Sequence, residues 1–213
     1  NVVAFKDFHI SPDGFLASLR ESPWVGFENF KFLFASKDAW LITRNTILYN
    51  VVFLAFNLFF AIAFAIIMSE LRNRRLVKVY HTMSLLPYFL SWMVINYFVY
   101  AFLSPDKGIL NQWITGNGGT MINWYADPRW WPVIFVFLNV WKSLGYNSII
   151  YYASVMGIDP TYYEAAMVDG ANKWQQIKNV TIPQILPMMS VLLILNIGGI
   201  FRADFGLFYI VPR

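Results

Sequence analysis

Cysteine is absent from the 213 residues, which excludes disulfides, thiol catalysis and thiolate metal sites. Histidine occurs only as His9 and His81, too far apart in sequence to suggest a shared metal ion. Charge is scarce: 13% of residues carry one, against about 25% in an average soluble domain. The acids fall in loops, without the facing pair that two-carboxylate chemistry requires. No Gly-x-x-x-x-Gly-Lys-Ser/Thr loop, His-Glu-x-x-His or Gly-x-Ser-x-Gly run is present, so phosphate-loop ATP hydrolysis, zinc hydrolysis and serine hydrolysis have nothing to rest on.

What fills the chain is apolar surface. Hydrophobic residues make up 58%, aromatics alone 19%, and the mean hydropathy is +0.48. Disorder is excluded, and a polytopic membrane bundle fits better than a soluble domain. A spanning helix needs about 20 residues without unpaired charge. Four windows qualify: Asn45 to Ser69, Val79 to Pro105 (with Pro87 inside), Trp130 to Ile158 (interrupted by Lys142), and Asn179 to Phe201. Pro183 and Pro187 place the start of the fourth helix near Pro187. The expected fold is therefore all-α, a membrane helical bundle with four spans in this portion. Residues 45–213 form the transmembrane domain and residues 1–44 an extracytoplasmic or interfacial segment.

Orientation follows from charge. Glu70 to Lys78 holds four basic groups and one acid in nine residues, and short loops rich in Lys and Arg stay in the cytoplasm. Position between two spans makes that cluster a topology signal rather than a nucleic-acid patch. Alternation places loops 70–78 and 159–187 inside, and residues 1–44 and 104–129 outside. Trp24, Trp40, Trp113, Trp124, Trp130 and Trp131 then fall on the outer side, as an interfacial belt would. In the first segment, Ser11-Pro12-Asp13-Gly14 signals a turn. From Glu28 to Trp40 an apolar face through Phe30, Leu33, Phe34 and Trp40, with Lys31, Lys37 and Asp38 elsewhere, suits a short helix in the outer interface or one packed on a neighbouring span.

Asp159 to Pro187 is the most informative stretch. Asp159-Pro160 reads as an N-cap followed by proline at the first helical position. Asp169-Gly170 ends that helix, because glycine accepts the left-handed conformation such an end requires. A second short helix is expected from near Asn172 to before Pro183. The first helix carries the small residues Ala165 and Ala166 beside Glu164, Tyr162 and Tyr163. Two readings stand side by side: a knob that docks in a cleft of another protein, and an amphipathic loop helix packed on its own bundle.

Glu164-Ala165-Ala166, three residues, Gly170, nine residues, Val180, one residue and Ile182-Pro183 resembles the signature of binding-protein-dependent ABC importer permeases. That signature reads Glu-Ala-Ala, three residues, Gly, nine residues, Ile, one residue, Leu-Pro. Val180 and Ile182 depart from it without changing apolar character. Phe5-Lys6-Asp7-Phe8, Trp24-Val25-Gly26 with Glu28-Asn29-Phe30, Arg44-Asn45-Thr46, Glu70-Leu71-Arg72-Asn73 and Gly157-Ile158-Asp159-Pro160 are similar to carbohydrate permeases, in particular the branch handling oligosaccharides of polysaccharide breakdown. The resemblance implies a type I importer permease fold of six spans, of which a first and a last lie outside residues 1–213. It implies no cofactor in this chain, with ATP and Mg bound by two cytoplasmic ATPase subunits. The other implied partners are a second permease subunit, an extracellular solute-binding protein, an oligosaccharide and membrane lipid, in a bacterial plasma membrane. Carried over, Tyr163, Glu164, Ala165, Ala166, Asp169 and Gly170 would form the ATPase-coupling contact.

The translocation path has weaker signals. Polar residues inside a membrane are costly and face a cavity or a partner helix. Asn57, Asn96, Asn139, Lys142, Asn147 and Asn196 qualify, as solute contacts or as hydrogen-bonding glue between helices. Lys142 suits a hydroxyl-rich or anionic solute, and equally a partner acid or carbonyls of the second subunit. Trp92, Tyr97, Tyr100, Trp141 and Tyr146 can stack on sugar rings. Arg202 and Asp204 are candidates for the outer gate or the docked binding protein. Competing functions are a permease for an amino acid or peptide, a membrane scaffold for an ATPase that moves nothing, and an intramembrane enzyme.

Overall fold

A computed structural model describes residues 2–12, 14–35 and 37–212, with the side chains of 32–35 and 37 left aside. The described residues are helical and loop throughout, with one isolated bridge between Lys6 and Trp24. Contacts divide the chain into two compact units, Asn1–Leu48 and Tyr49–Arg213.

The first unit is tied by its own polar groups. Helices α1 (Phe15–Glu21) and α2 (Glu28–Ala35) follow a short turn at Val2–Phe5. Asn29 donates to the Ala4 and Lys6 carbonyls, and Lys6 Nζ donates to Leu19 and Ser22. Phe5 packs against Trp24, Phe27 and Phe30. The expected face from Glu28 to Trp40 is broken into α2 and the start of α3 (Lys37–Glu70). The side chains of Leu33, Phe34 and Lys37, like Asp13 of the expected turn, lie outside the described residues.

Among the described residues three helices are long and apolar enough to cross a membrane: Asp38–Glu70, which begins in the first unit, Trp131–Met156 and Lys173–Ile197. The expected single span over Val79 to Pro105 is instead two helices, α4 (Arg74–Phe89) and α5 (Trp92–Leu103), bent by 100°. Counted as one broken span, the pair brings the total to four. The cause is local. Pro87 removes a donor from the last turn of α4, Leu90 and Ser91 are extended, and the Ser91 hydroxyl caps α5 by accepting from Val94 N–H.

After α6 (Ile109–Gly116), α7 (Trp131–Met156) and α8 (Pro160–Val168), the last span also departs from expectation. It starts at α9 (Lys173–Gln176), passes a π-helical turn at Ile177–Thr181, and continues as α10 (Ile182–Ile197). A reciprocal cap between Asn172 and Gln175 starts it. The wider π turn relieves the crowding that Pro183 imposes on the preceding carbonyls. The expected second loop helix is thus the first turn of the last span, which does not wait for Pro187. An ion pair of 2.8 Å between Lys173 and Glu70 puts loops 70–78 and 159–172 at the same end of the bundle.

Helices α4 and α7 pack antiparallel at very short range. A Cβ on Gly145 would lie 2.2 Å from the Ser84 carbonyl oxygen, so only glycine permits this approach. Ser148 beside it is fully buried, His81 packs on Tyr152 at 4.7 Å, and Tyr88 stacks on Tyr146 at 4.6 Å. Of the six tryptophans assigned to an interfacial belt, Trp124 and Trp131 are core residues instead. Asn111 explains part of this: its buried amide donates to the Pro105 and Ile122 carbonyls and accepts from Ile122 N–H and Trp124 Nε1–H, folding the 104–129 loop back.

Candidate functional site

Two apolar clusters lie at different heights along α3 and α7. One gathers Phe53, Ile95, Val99, Leu103, Trp131, Phe135, Leu138 and Leu207. The other gathers Ala61, Ile62, Ala65, Tyr151, Val155 and Ile185. Between their levels, α3 and α7 turn polar residues toward each other. Asn57 Nδ2 donates to Asn139 Oδ1 at 2.7 Å and to its own helix at Phe53 O. Asn57 Oδ1 accepts from the Ser143 hydroxyl at 2.5 Å and from Asn147 Nδ2 at 3.4 Å. Residues 139, 143 and 147 are spaced by four, so they form one stripe of α7.

A cavity of about 460 Å³ opens along this stripe, a volume in the range of small-molecule sites. Its polar lining is Asn50, Asn57, Asn139, Ser143, Asn147 and Asn196, with Tyr88, Tyr146 and Tyr151. Leu54, Leu58, Leu192 and Ile150 supply apolar wall. Among the described residues, none of those lining it carries a carboxylate, ammonium, guanidinium or imidazole. Asn50 also holds the Ile200 and Arg202 carbonyls past the end of α10.

Of the expected path residues, the cavity gathers Asn139, Tyr146, Asn147 and Asn196, together with Asn57. Asn96, half-buried on α5, and Lys142 do not line it. Lys142 Nζ instead donates to the carbonyls of Pro87, Tyr88 and Leu90 of its own chain. Trp92 and Trp141 lie against the first cluster, and Tyr97 and Tyr100 are exposed. Asp204 accepts from Trp92 Nε1–H at 3.0 Å and caps the Gly206 and Leu207 amides. Sequence reasoning missed Asn50, Ser143, Tyr88 and Tyr151. The i, i+4 spacing of Asn139, Ser143 and Asn147 was the available signal.

At the other candidate site, Asp159 caps α8 by accepting from Thr161 N–H at 2.9 Å, and Pro160 takes the first helical position. That hydrogen bond, followed by one from the Thr161 side chain, holds the Asp159 carboxyl below its ordinary range. Gly170 has φ +78, and its N–H bonds Met167 O while Ala171 N–H reaches back to Ala166 O. No residue of α8 is buried. Glu164, Ala165, Asp169 and Gly170 are exposed, Ala166 and Tyr163 half-buried. The Tyr163 hydroxyl meets Thr181 Oγ1 at 3.0 Å, linking α8 to the π turn of the last span. Among the described residues no group of His, Asp or Glu could hold a metal ion.

Comparison with known proteins agrees with this arrangement. A family model described as binding-protein-dependent transport system inner membrane component matches residues 41–208. Over 210 residues the chain is 32% identical to the polygalacturonan/rhamnogalacturonan transport system permease protein YteP of Bacillus subtilis (strain 168), covering 99% of this chain and 64% of that protein. A bacterial ABC transporter involved in the import of the acidic polysaccharide alginate shares the fold with a TM-score of 0.84 at 33% identity, over 91% of this chain and 68% of that one. A second structure, a bacterial alginate ABC transporter in complex with an alginate pentasaccharide-bound periplasmic protein, gives a TM-score of 0.77 at 34% identity, over 82% and 61%. With the match running over most of its length and the same bundle present in a solved importer, the chain belongs to the family of binding-protein-dependent transport system inner membrane components.

Proposed function

We propose that this chain is the permease subunit of an ABC importer for oligosaccharides. In this reading it sits in the bacterial plasma membrane, with loops 70–78 and 159–172 in the cytoplasm and residues 1–44 and 104–129 outside. A second permease subunit completes the path, an extracellular solute-binding protein delivers the sugar, and two ATPase subunits that bind ATP and Mg drive the cycle. The observation that carries it is the uncharged cavity. Amides, a hydroxyl and phenols hydrogen-bond sugar hydroxyls, and the Tyr88–Tyr146 stack offers an aromatic wall to a pyranose face. A free amino acid or a peptide terminus brings formal charge, and a buried charge without a partner is costly. The lining supplies none, which favours a neutral sugar over an amino acid or peptide. The relatives favour sugar on separate grounds, since the alginate that two of them handle is itself acidic.

The exposed helix α8 supports the coupling assignment. Glu164, Ala165, Ala166, Asp169 and Gly170 would enter a groove of the ATPase. Tyr163, bonded to Thr181, would pass that helix's displacement directly to the last span. A scaffold that moves nothing needs no such link. The test is ATP-dependent uptake of labelled oligosaccharide by the complete transporter in proteoliposomes. Asn147→Leu is expected to lower uptake with ATPase subunits still bound. Glu164→Lys is expected to leave the protein inserted but to abolish uptake driven by ATP. Full uptake in both variants would refute the reading.

A further inference from the structure

Lys142 is a charged residue in the middle of an apolar helix, and the cavity does not use it. Its ammonium donates to three carbonyls, of Pro87, Tyr88 and Leu90. They lie at the C-terminal end of α4, where the chain turns by 100°: Pro87 O also accepts from Leu90 N–H, while Tyr88 and the cap residue Leu90 sit where helical partners run out. A cation at a helix C-terminus also meets the negative end of the helix dipole. The same ammonium lies 5.3 Å from the Trp92 ring and 5.9 Å from the Tyr88 ring. Trp92, in the first turn of α5, donates its indole N–H to Asp204. Asp204 in turn caps the segment Gly206–Ile210, where a Cβ on Gly206 would lie 1.9 Å from Trp92 Cδ1. Tyr88, whose carbonyl Lys142 holds, lines the cavity with Tyr146.

We propose that Lys142 is a positioning residue that locks the α4–α5 bend through the carbonyls of Pro87, Tyr88 and Leu90, and that Trp92 and Asp204 tie this bend to the segment Gly206–Ile210, so that bend, segment and the Tyr88 wall of the cavity move as one body. Lys142 thus shapes the path without touching the solute. Charge-assisted hydrogen bonds of this kind are the strong ones. Without them the Tyr88 and Leu90 carbonyls would lose their side-chain donor, Pro87 O keeping only Leu90 N–H, and α4 would lengthen to satisfy them. Straightening the pair withdraws Tyr88 from the cavity wall.

The chain has no cysteine, so spin labels at Met83→Cys on α4 and Tyr97→Cys on α5, both exposed, mark the bend uniquely within it. The distance between them is measured by double electron–electron resonance on the full chain, assembled with its partner subunits in nanodiscs. Native Lys142 is expected to give one narrow distribution. Lys142→Met is expected to broaden it and shift it outward by at least about one helical turn, ~5 Å. Lys142→Arg is expected to keep the native distribution, since its planar fork still presents donors to the carbonyls. An unchanged distribution in Lys142→Met overturns the lock. Should Lys142→Met fail to assemble, Trp92→Phe removes the indole N–H to Asp204 together with the five-membered ring that faces Gly206. A second label pair, Tyr97→Cys with Tyr209→Cys, should then broaden, and an unchanged distance overturns the tie to the segment.

A second readout rests on the transport function proposed above. Lys142→Met should lower the turnover of uptake about tenfold, and any rise in KM should come with the altered bend, because Tyr88 leaves the wall, whereas loss of a direct solute ligand raises KM alone. A raised KM with an unaltered bend assigns Lys142 to the solute and refutes the proposal. Absence of uptake by the unmutated assembly refutes the transport function and leaves the distance measurement to decide the lock.

Discussion

The cavity wall and helix α8 are both built from polar and small residues, and they treat those residues in opposite ways. In the wall, Asn57, Asn139, Ser143 and Asn147 bond one another before any solute arrives. On α8, Glu164, Ala165 and Asp169 project away from the bundle, and Val168 is 88% exposed. A preorganised wall suits a small solute, which cannot repay much ordering. A projecting helix tied to the last span through Tyr163 suits a partner large enough to bury it. The comparison also locates rigidity: α4 and α7 meet at van der Waals contact around Gly145, while α8 keeps its shape through its two ends alone.

The sharpest way to break this contrast is to attack the rigid side. Gly145→Leu forces a side chain into the Ser84 backbone, and overpacking of a fully closed contact costs about 1–3 kcal/mol or more. With backbone as the obstacle, loss of monodisperse protein in size-exclusion chromatography is expected. Recovery of a stable protein would mean that α4 and α7 are not locked. Next in size is Asn57→Leu. It leaves Asn139 and Asn147 without their shared partner, while Ser143 keeps the Asn139 carbonyl, at a cost of up to about 1–3 kcal/mol for a group left unsatisfied. A lowered unfolding temperature together with weaker uptake is expected. A change in uptake alone would mean that the network carries no structural load.

On the projecting side, effects on stability should be smaller and effects on function larger. Gly170→Val strains a left-handed position by about 1–2 kcal/mol, with open space around the new side chain. The unfolding temperature should fall only slightly while ATP-driven uptake is lost. A large stability loss would place Gly170 in the packed body instead. The smallest expected effect concerns the Asp159 cap. Its carboxyl is held below the ordinary value by Thr161, so its contribution is fully present above about pH 4 and is lost as pH falls through the lowered folded-state value. Hydrogen exchange in the first turn of α8, corrected for intrinsic rates, should be flat from neutral pH down to about pH 5. Protection that fades near pH 6 would contradict the cap.

Much of this arrangement was legible in the residues. Asp159-Pro160 and Asp169-Gly170 bounded α8 correctly because caps and left-handed glycines act locally. Charge-free windows found α3 and α7 for the same reason. Legibility failed where long-range contacts override local signals. Hydropathy over 79–105 cannot reveal a 100° bend, because both halves are apolar; the local marks were Pro87 and the Ser91 cap, and the Leu90 carbonyl at the bend is met by Lys142, 52 residues beyond it. Pro187 suggested a helix start, but a π turn and an Asn172–Gln175 cap place it earlier. Trp124 read as interfacial until Asn111, thirteen residues away, drew it inside. The asparagines were noticed singly, and their meeting around Asn57 depends on the register of α3 against α7, which no local pattern encodes.

The central claim is that the amide-lined cavity is the route of the solute. Single-cysteine variants Ser143→Cys and Asn147→Cys in the assembled transporter, treated with a water-soluble thiol reagent, test it most directly. The account predicts that both react, that Leu138→Cys in the apolar cluster does not, and that transported oligosaccharide slows the first two. Reaction at 143 and 147 that ignores the sugar, or no reaction there at all, would contradict it.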